Sequence, residues 1–357
     1  MHKYFLYIFF GAFLCFSCGK QEDNLEAPYP FSKSITGITW ADTVIRLTNN
    51  RIGDNWPITW VDNDTQITAF GDGDGFDTEN PKLTLGFAKI TGNPPDVRGE
   101  DFVTDADKPA GWGPKGIKAS GLLMADGILY MFIRNYIPPG SSDFTNSRLA
   151  WSTNGGINWN RADWYFSDTF GCPEFIQYGK NNEGARDDYV YIVSQANDNA
   201  YEYSPDIVLA RVPETTLLKR DTYEFFAGFD KNNNPLWSDD CANRKPIFTD
   251  SYGTQRIAVT YNAPLKRYIL TTSHLPPGNK GPHTGALGIF DAPEPWGPWT
   301  TVYYNHYWSG ECRTYHHKFP AKWISNDGRT MWLLFSGLDC DYYTFCLKKV
   351  CLSIAAR

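Results

Sequence analysis

No long stretch of this sequence shows the apolar period of about 3.6 residues that marks an amphipathic helix, which excludes helical bundles and argues against alternating strand–helix folds. Zinc-binding spacing is missing too: among the six cysteines beyond residue 18, none stands in a CxxC pair. Basic charge is not in excess. The net charge of -7 argues against nucleic acid or an anionic membrane surface as partner. No apolar run reaches the roughly 20 residues that a spanning helix needs.

The longest apolar run, "YFLYIFFGAFL", stands at the N-terminus behind His2 and Lys3 and is followed by Ser17 and Cys18. That is the layout of a secretory signal. Its end resembles a lipobox, with Cys15 where Leu is usual and a bulky Phe16, and Cys18 is the candidate lipidated residue. The acidic "GKQEDNLE" that follows is similar to the export tag of surface lipoproteins in some Gram-negative bacteria. The expected organisation is a signal over 1–18, an acidic tether over 19–34 and a single domain over 35–357. A lipid anchor would be the only membrane attachment, placing the chain on the outer membrane, at the cell surface. Simple secretion or a periplasmic location is the alternative. An exported chain meets an oxidising compartment, so Cys172, Cys241, Cys312, Cys340, Cys346 and Cys351 are expected in disulfides whose pairing sequence does not choose.

What fills the rest is short β-rich runs between clusters of Gly, Pro, Asn and Asp. They pair as hairpins. "WPITWV" and "TQITAFG" flank "DND", and "SGLLMA" and "ILYMFIRN" flank "DG", a strong hairpin signal. "PEFIQYG" pairs with "YVYIVSQ", "QRIAVTYN" with "RYILTTSH", and "KFPAKWIS" with "TMWLLFSG". Each pair is followed by weaker strands. The five units begin near residues 56, 120, 173, 255 and 318, which predicts an all-β, five-bladed β-propeller. A β-sandwich is the rival, but sandwiches rarely repeat a hairpin with outer strands in this way. "ITGITWADTVIRLT" is positioned to close the ring against the last blade, and "STNGGINW" resembles the peripheral Asp-box turn of propeller sialidases. Aromatics, at 16%, are expected mainly in the core.

In a propeller the first strand of each blade lines the channel, so its start and the end of the second strand share one face. Those positions collect Asp54, Asn55 and Asp72, then Lys118 and Arg134, then Glu174, then Arg256 and His274, and lastly Tyr315, His316, His317 and Lys318. The opposite ends carry ordinary turn residues. Three carboxylates around a polar funnel suit glycoside hydrolysis, which needs a proton donor and a base or nucleophile. Asp54, Asp72 and Glu174 are therefore the candidate catalytic residues. Asn55, Lys118, Arg134, Arg256 and His317 are candidates to hold substrate, and Trp56, Trp112 and Tyr315 to stack on sugar rings. His316 and His317 are adjacent, so only one of them can face the channel. "GDGDGFD" is a candidate calcium loop, although it lacks the EF-hand pattern, and no other cofactor is expected. His274 is expected on a loop surface, and Arg186 with Asp187 in a structural ion pair.

The segments "NWPITWVDND", "FGDGDGF", "KASGLLMADGILYMFIRN", "EGARDDYVYIVS", "VLARVPE", "YEFFAG", "FDAPEPWGPW" and "FPAKWISNDGRTMWLLFSG" resemble a large group of bacterial exported proteins. That group has long been catalogued as a domain of unknown function, with endo-D-arabinanases among its relatives. The resemblance runs from about residue 35 to 350. It implies a five-bladed propeller and, for some relatives, hydrolysis of arabinan by two aspartates, whose matching positions are Asp54 and Asp72. The chain reads Gly71-Asp72-Gly73 where the arabinanases usually have Gly-Asp-Thr, a departure that bears on the sugar more than on the chemistry. The leading expectation is a hydrolase acting on a polysaccharide or oligosaccharide, as a monomer. A lyase using His317, Tyr315 and Arg256 and a non-catalytic glycan-binding lipoprotein are its rivals.

Overall fold

The structure is a computed structural model that describes residues 27–356 except 49, 78, 107, 110–115, 136–144, 280 and 282. Its strands sort into five antiparallel blades. The first holds Ile58–Trp60, Gln66–Phe70, Leu83–Asn93 and Asp96–Asp101, from the channel outward. Lys118–Ala125, Ile128–Arg134, Ser147–Ser152 and Asn160–Arg161 form the second. The third is built from Glu174–Phe175, Tyr189–Gln195, Ser204–Pro213 and Glu224–Phe229. One long strand, Pro246–Asn262, pairs with the third blade through its first half and opens the fourth through its second, followed by Arg267–Ser273, Leu287–Ala292 and Thr300–Asn305. Thr314–Lys318, Thr330–Gly337 and Cys346–Ile354 make the fifth.

The ring closes where the sequence indicated. Ile35–Trp40 is the outermost strand of the fifth blade, with Ile38 opposite Leu352 and Trp40 opposite Val350. The strands are apolar almost without interruption because each blade is sandwiched between two others. Leu122 and Met124 face the first blade, whereas Leu123 and Ala125 on the same strand face the third. Five hydrophobic clusters result, one at each blade–blade interface, and the last joins Trp56, Ile58 and Phe70 to Trp323, Leu334 and Phe345. Each large side chain buried there contributes about 1.5–3 kcal/mol. The "DG" hairpin has both central residues at positive φ (Asp126 45°, Gly127 72°), as a tight turn matching strand twist requires. The Asp-box-like turn sits at the periphery of the second blade, where Ser152 Oγ accepts the Gly156 N–H at 2.9 Å.

Several expectations are corrected. The fifth inner strand is Thr314–Lys318 rather than "KFPAKWIS", because Pro320 turns the chain into a short 3-10 turn, Ala321–Trp323. The tether does not extend to residue 34. The Tyr29 ring packs 4.9 Å from that of Phe248, and Ser32 N–H donates to the Thr301 carbonyl at 2.8 Å, so residues 27–34 dock on the fourth blade. Cys18 and the signal lie outside the described residues, as does Trp112. His274 is buried, stacked 4.0 Å from Tyr304 and 3.0 Å from the His306 ring nitrogen. Arg186 does pair with Asp187, at 3.2 Å, and also with Glu294.

Among the described residues one disulfide forms, Cys312–Cys340, tying the loop before the fifth inner strand to the loop after its second strand. Cys172, Cys241, Cys346 and Cys351 are free thiols. Replacing both Cys312 and Cys340 by Ser is expected to lower stability by about 2–4 kcal/mol, read from urea unfolding under non-reducing conditions.

Candidate active site

The chain enters the first blade through Gly53–Pro57 and forms a two-way backbone bridge there. Asp54 N–H donates to the Gly71 carbonyl at 3.0 Å and Gly71 N–H to that of Asp54 at 3.2 Å. This bridge joins the start of the inner strand to the end of its partner and brings Asp54 and Asp72 to the same mouth of the channel. The mouth opens into a funnel of about 480 Å³, within the size range of small-molecule sites.

Both oxygens of Asp54 are engaged: the Tyr315 hydroxyl donates to Oδ2 at 2.5 Å, and Asn55 Nδ2 to Oδ1 at 2.7 Å. Burial raises the pKa of Asp54 and the charge of Asp72 raises it further, against the lowering by Lys118 and the Tyr315 hydrogen bond. Asp72 is ion-paired with Lys118, Nζ to Oδ1 at 2.6 Å, and the same ammonium donates to Thr84 Oγ1 at 3.0 Å. No side chain separates the two aspartates at Gly71. A Cβ there would lie 3.1 Å from Asp54 Oδ1 and 3.5 Å from Lys118 Nζ. Gly71→Ala is therefore expected to displace the Asp54 carboxylate and lower turnover by about tenfold, checked by steady-state kinetics beside an unchanged melting temperature.

The rest of the lining is largely cationic and aromatic. Arg134 and Arg256 place their guanidinium carbons 5.2 and 5.0 Å from the centroid of the Tyr201 ring. Arg256 also donates to the Ala200 carbonyl at 2.7 Å and to Cys172 Sγ at 3.2 Å. Burial acts to raise the Tyr201 pKa, but Arg134 and Arg256 outweigh it, and the phenol is lowered. The His283 ring stacks 3.9 Å from that of Tyr315.

Asp54, Asn55, Asp72, Lys118, Arg134, Arg256 and Tyr315 thus line one funnel. Three predicted residues do not. Trp56 is fully buried, donates to the Thr344 carbonyl at 3.1 Å and packs on Phe70, Phe76 and Phe345, so it has no face for a sugar. His317 turns into the interface of the fourth and fifth blades, 5.2 Å from the Trp308 ring, and its neighbour His316 faces the channel. Glu174 lies outside the funnel, beside a crevice of about 10 Å³, with Oε2 3.3 Å from His316 Nε2 and 3.6 Å from Lys318 Nζ. Burial raises its pKa to about 7, against the lowering by Lys318 of the fifth inner strand.

Sequence reasoning missed Asp74, Lys82, Tyr201, His283 and Tyr343, which also line the funnel. All five lie in connections from a second to a third strand. Those connections leave from the same face as the funnel, so extending the count past the end of each second strand finds them. At the "GDGDGFD" turn Asp72 holds Lys118, while Asp101 accepts the Asp77 N–H at 2.8 Å and Asn80 Nδ2 at 3.1 Å.

A family model described as "Domain of unknown function (DUF4185)" matches residues 120–332. No curated protein matches the chain. Among solved structures, the chain is similar to a candidate hydrolase from Bacteroides ovatus at 11% identity, with a TM-score of 0.56 over 86% of this chain and 87% of that one. It is also similar to an exo-β-1,3-galactanase from Phanerochaete chrysosporium, seen with β-1,3-galactotriose, at 10% identity and a TM-score of 0.50. That match covers 89% of this chain and 67% of the galactanase. At these identities the likeness is one of fold.

Proposed function

The chain belongs to the DUF4185 family, a domain of unknown function, and from that premise we propose that it is a glycoside hydrolase acting on a polysaccharide or oligosaccharide through Asp54 and Asp72. The observation that carries the reading is the pair itself: a buried carboxylic acid whose pKa is raised, beside a carboxylate ion-paired with Lys118, at the wall of an open funnel. Asp54 holds the proton and gives it to the leaving glycosidic oxygen. Asp72 acts as base or nucleophile toward the anomeric carbon. Lys118 holds that second carboxylate in place, and Tyr315 and Asn55 orient the first. The fold likeness to a galactanase seen with a galactotriose supports a sugar as the occupant. Lipidation at Cys18, with a surface location as a monomer, belongs to the same proposal.

The lyase reading loses its base. His317 is in the core, and the Tyr315 hydroxyl is pushed well above its ordinary pKa by burial and by Asp54, the opposite of what proton abstraction needs. A lyase would instead turn on Tyr201, whose phenol the two arginines lower. A polysaccharide panel assayed for new reducing ends and for ultraviolet absorbance of unsaturated products separates the readings. Reducing ends without absorbance support the hydrolase. Absorbance growing with cleavage contradicts it, and binding that persists unchanged in Asp54→Asn without any turnover favours a glycan-binding protein.

A further inference from the structure

The funnel holds more cationic groups than acid–base chemistry on a neutral sugar uses. Lys118 is occupied by Asp72, but Arg134 and Arg256 have no carboxylate at ion-pair distance among the described residues. Both are about 1% exposed, and each keeps an N–H without an acceptor, Nη1 of Arg134 and Nε of Arg256. Arg134 bonds to Tyr201 and feels the charge of Asp54 at longer range, but a buried guanidinium with no carboxylate at ion-pair distance lowers stability, and an uncompensated donor adds to that cost. An anion bound between them reverses both effects.

The arrangement is also prepared in advance. The Tyr201 ring lies against both guanidinium groups, so their planes are fixed before a ligand arrives. Asp54 and Tyr315 line the same funnel, and an anion on the arginines would leave the rest of a sugar chain facing the aspartates. Oxyanions that offer two acceptor oxygens, such as carboxylate and sulfate, match a guanidinium fork better than hydroxyls do.

We propose that the funnel takes an acidic sugar, whose carboxylate or sulfate sits on Arg134 and Arg256 while the neighbouring glycosidic bond faces Asp54 and Asp72. The inference rests on the hydrolase reading of the same site. It makes the charged group of the substrate, rather than an aromatic platform, the main determinant of recognition.

The test is calorimetric titration of the wild-type protein with paired oligosaccharides. Oligogalacturonate and oligoalginate are each measured beside their carboxyl-reduced twins, and sulfated carrageenan oligosaccharides beside their desulfated twins. At least one acidic member is expected to bind about ten- to a hundredfold tighter than its neutral twin, the gain of a charge-assisted hydrogen-bond pair. The gap should shrink in high salt. The arm that responds identifies the oxyanion as carboxylate or sulfate. Arg134→Gln should remove most of the preference and Arg134→Lys retain part of it. No acidic member binding better than its twin overturns the proposal, and this result does not depend on any variant folding. Cleavage of a neutral glycan that requires Asp54 would leave the hydrolase standing and the acidic substrate fallen. Preferential acidic binding without cleavage would do the reverse.

Discussion

Asp54→Asn is expected to lower kcat on the cleaved glycan by about 10²- to 10⁴-fold and leave the protein folded, the usual effect of removing a general acid–base group. The fold should survive because the amide can keep both partners. Its oxygen still accepts from Asn55 Nδ2, and its NH₂ can donate to the Tyr315 hydroxyl once that hydroxyl rotates. What the amide cannot do is release a proton to a leaving oxygen. Because the pKa of Asp54 is raised, wild-type turnover should persist above the ordinary carboxylate range and fall as pH rises past the raised value. Kinetics on the wild type and the variant, with thermal melts of both, check the prediction. Retention of activity within about tenfold would remove Asp54 from the mechanism.

The second large effect concerns Glu174, and its sign follows from burial. The carboxyl is raised from its ordinary 4.5 to about 7 by loss of water, with Lys318 opposing. A folded-state pKa above the unfolded one means that the folded protein holds this proton more tightly. The stability so contributed is fully present below the unfolded value and is lost as pH rises through about 7. At about 1.4 kcal/mol per pH unit, that loss is about 3 kcal/mol. Glu174→Gln stays neutral and mimics the protonated acid, so it escapes the loss. Urea unfolding of both proteins across this range should show the wild type losing about 3 kcal/mol relative to the variant. Parallel curves would mean that the Glu174 carboxyl is not desolvated as described.

The expectations that held and those that failed divide along one physical line. Hairpins marked by turn chemistry were legible, and so was the closing strand, because turn residues and apolar runs act locally. Asp54 and Asp72 were legible because both stand at strand ends, whatever the register within the strand. Trp56 and His317 were misplaced because standing near a strand end does not decide which way a side chain points; local register does. The inner strands are irregular at the funnel, with positive φ at Asn55 (71°), Trp56 (45°), Arg256 (53°) and His316 (54°). The pairing register shifts between Tyr315 and Lys318 and again between Gln255 and Ala258. A bulge adds one residue and reverses the faces beyond it, so parity stops being informative at these positions. Bulges re-aim the side chains that face the funnel, and composition does not announce them. Glu174 failed differently: it stands at the predicted strand end but is drawn into a buried cluster by Lys318 and His316.

Hydrolysis at the aspartate pair is the central claim, and it is tested most directly by the origin of the oxygen at the new chain end. The glycan identified by the panel is cleaved in water enriched in oxygen-18, and fragments are weighed at early times, before the free anomeric oxygen exchanges. The account predicts one heavy oxygen at each new reducing end, with no such fragments from Asp54→Asn. Unsaturated fragments without label, released equally by wild type and variant, would contradict it.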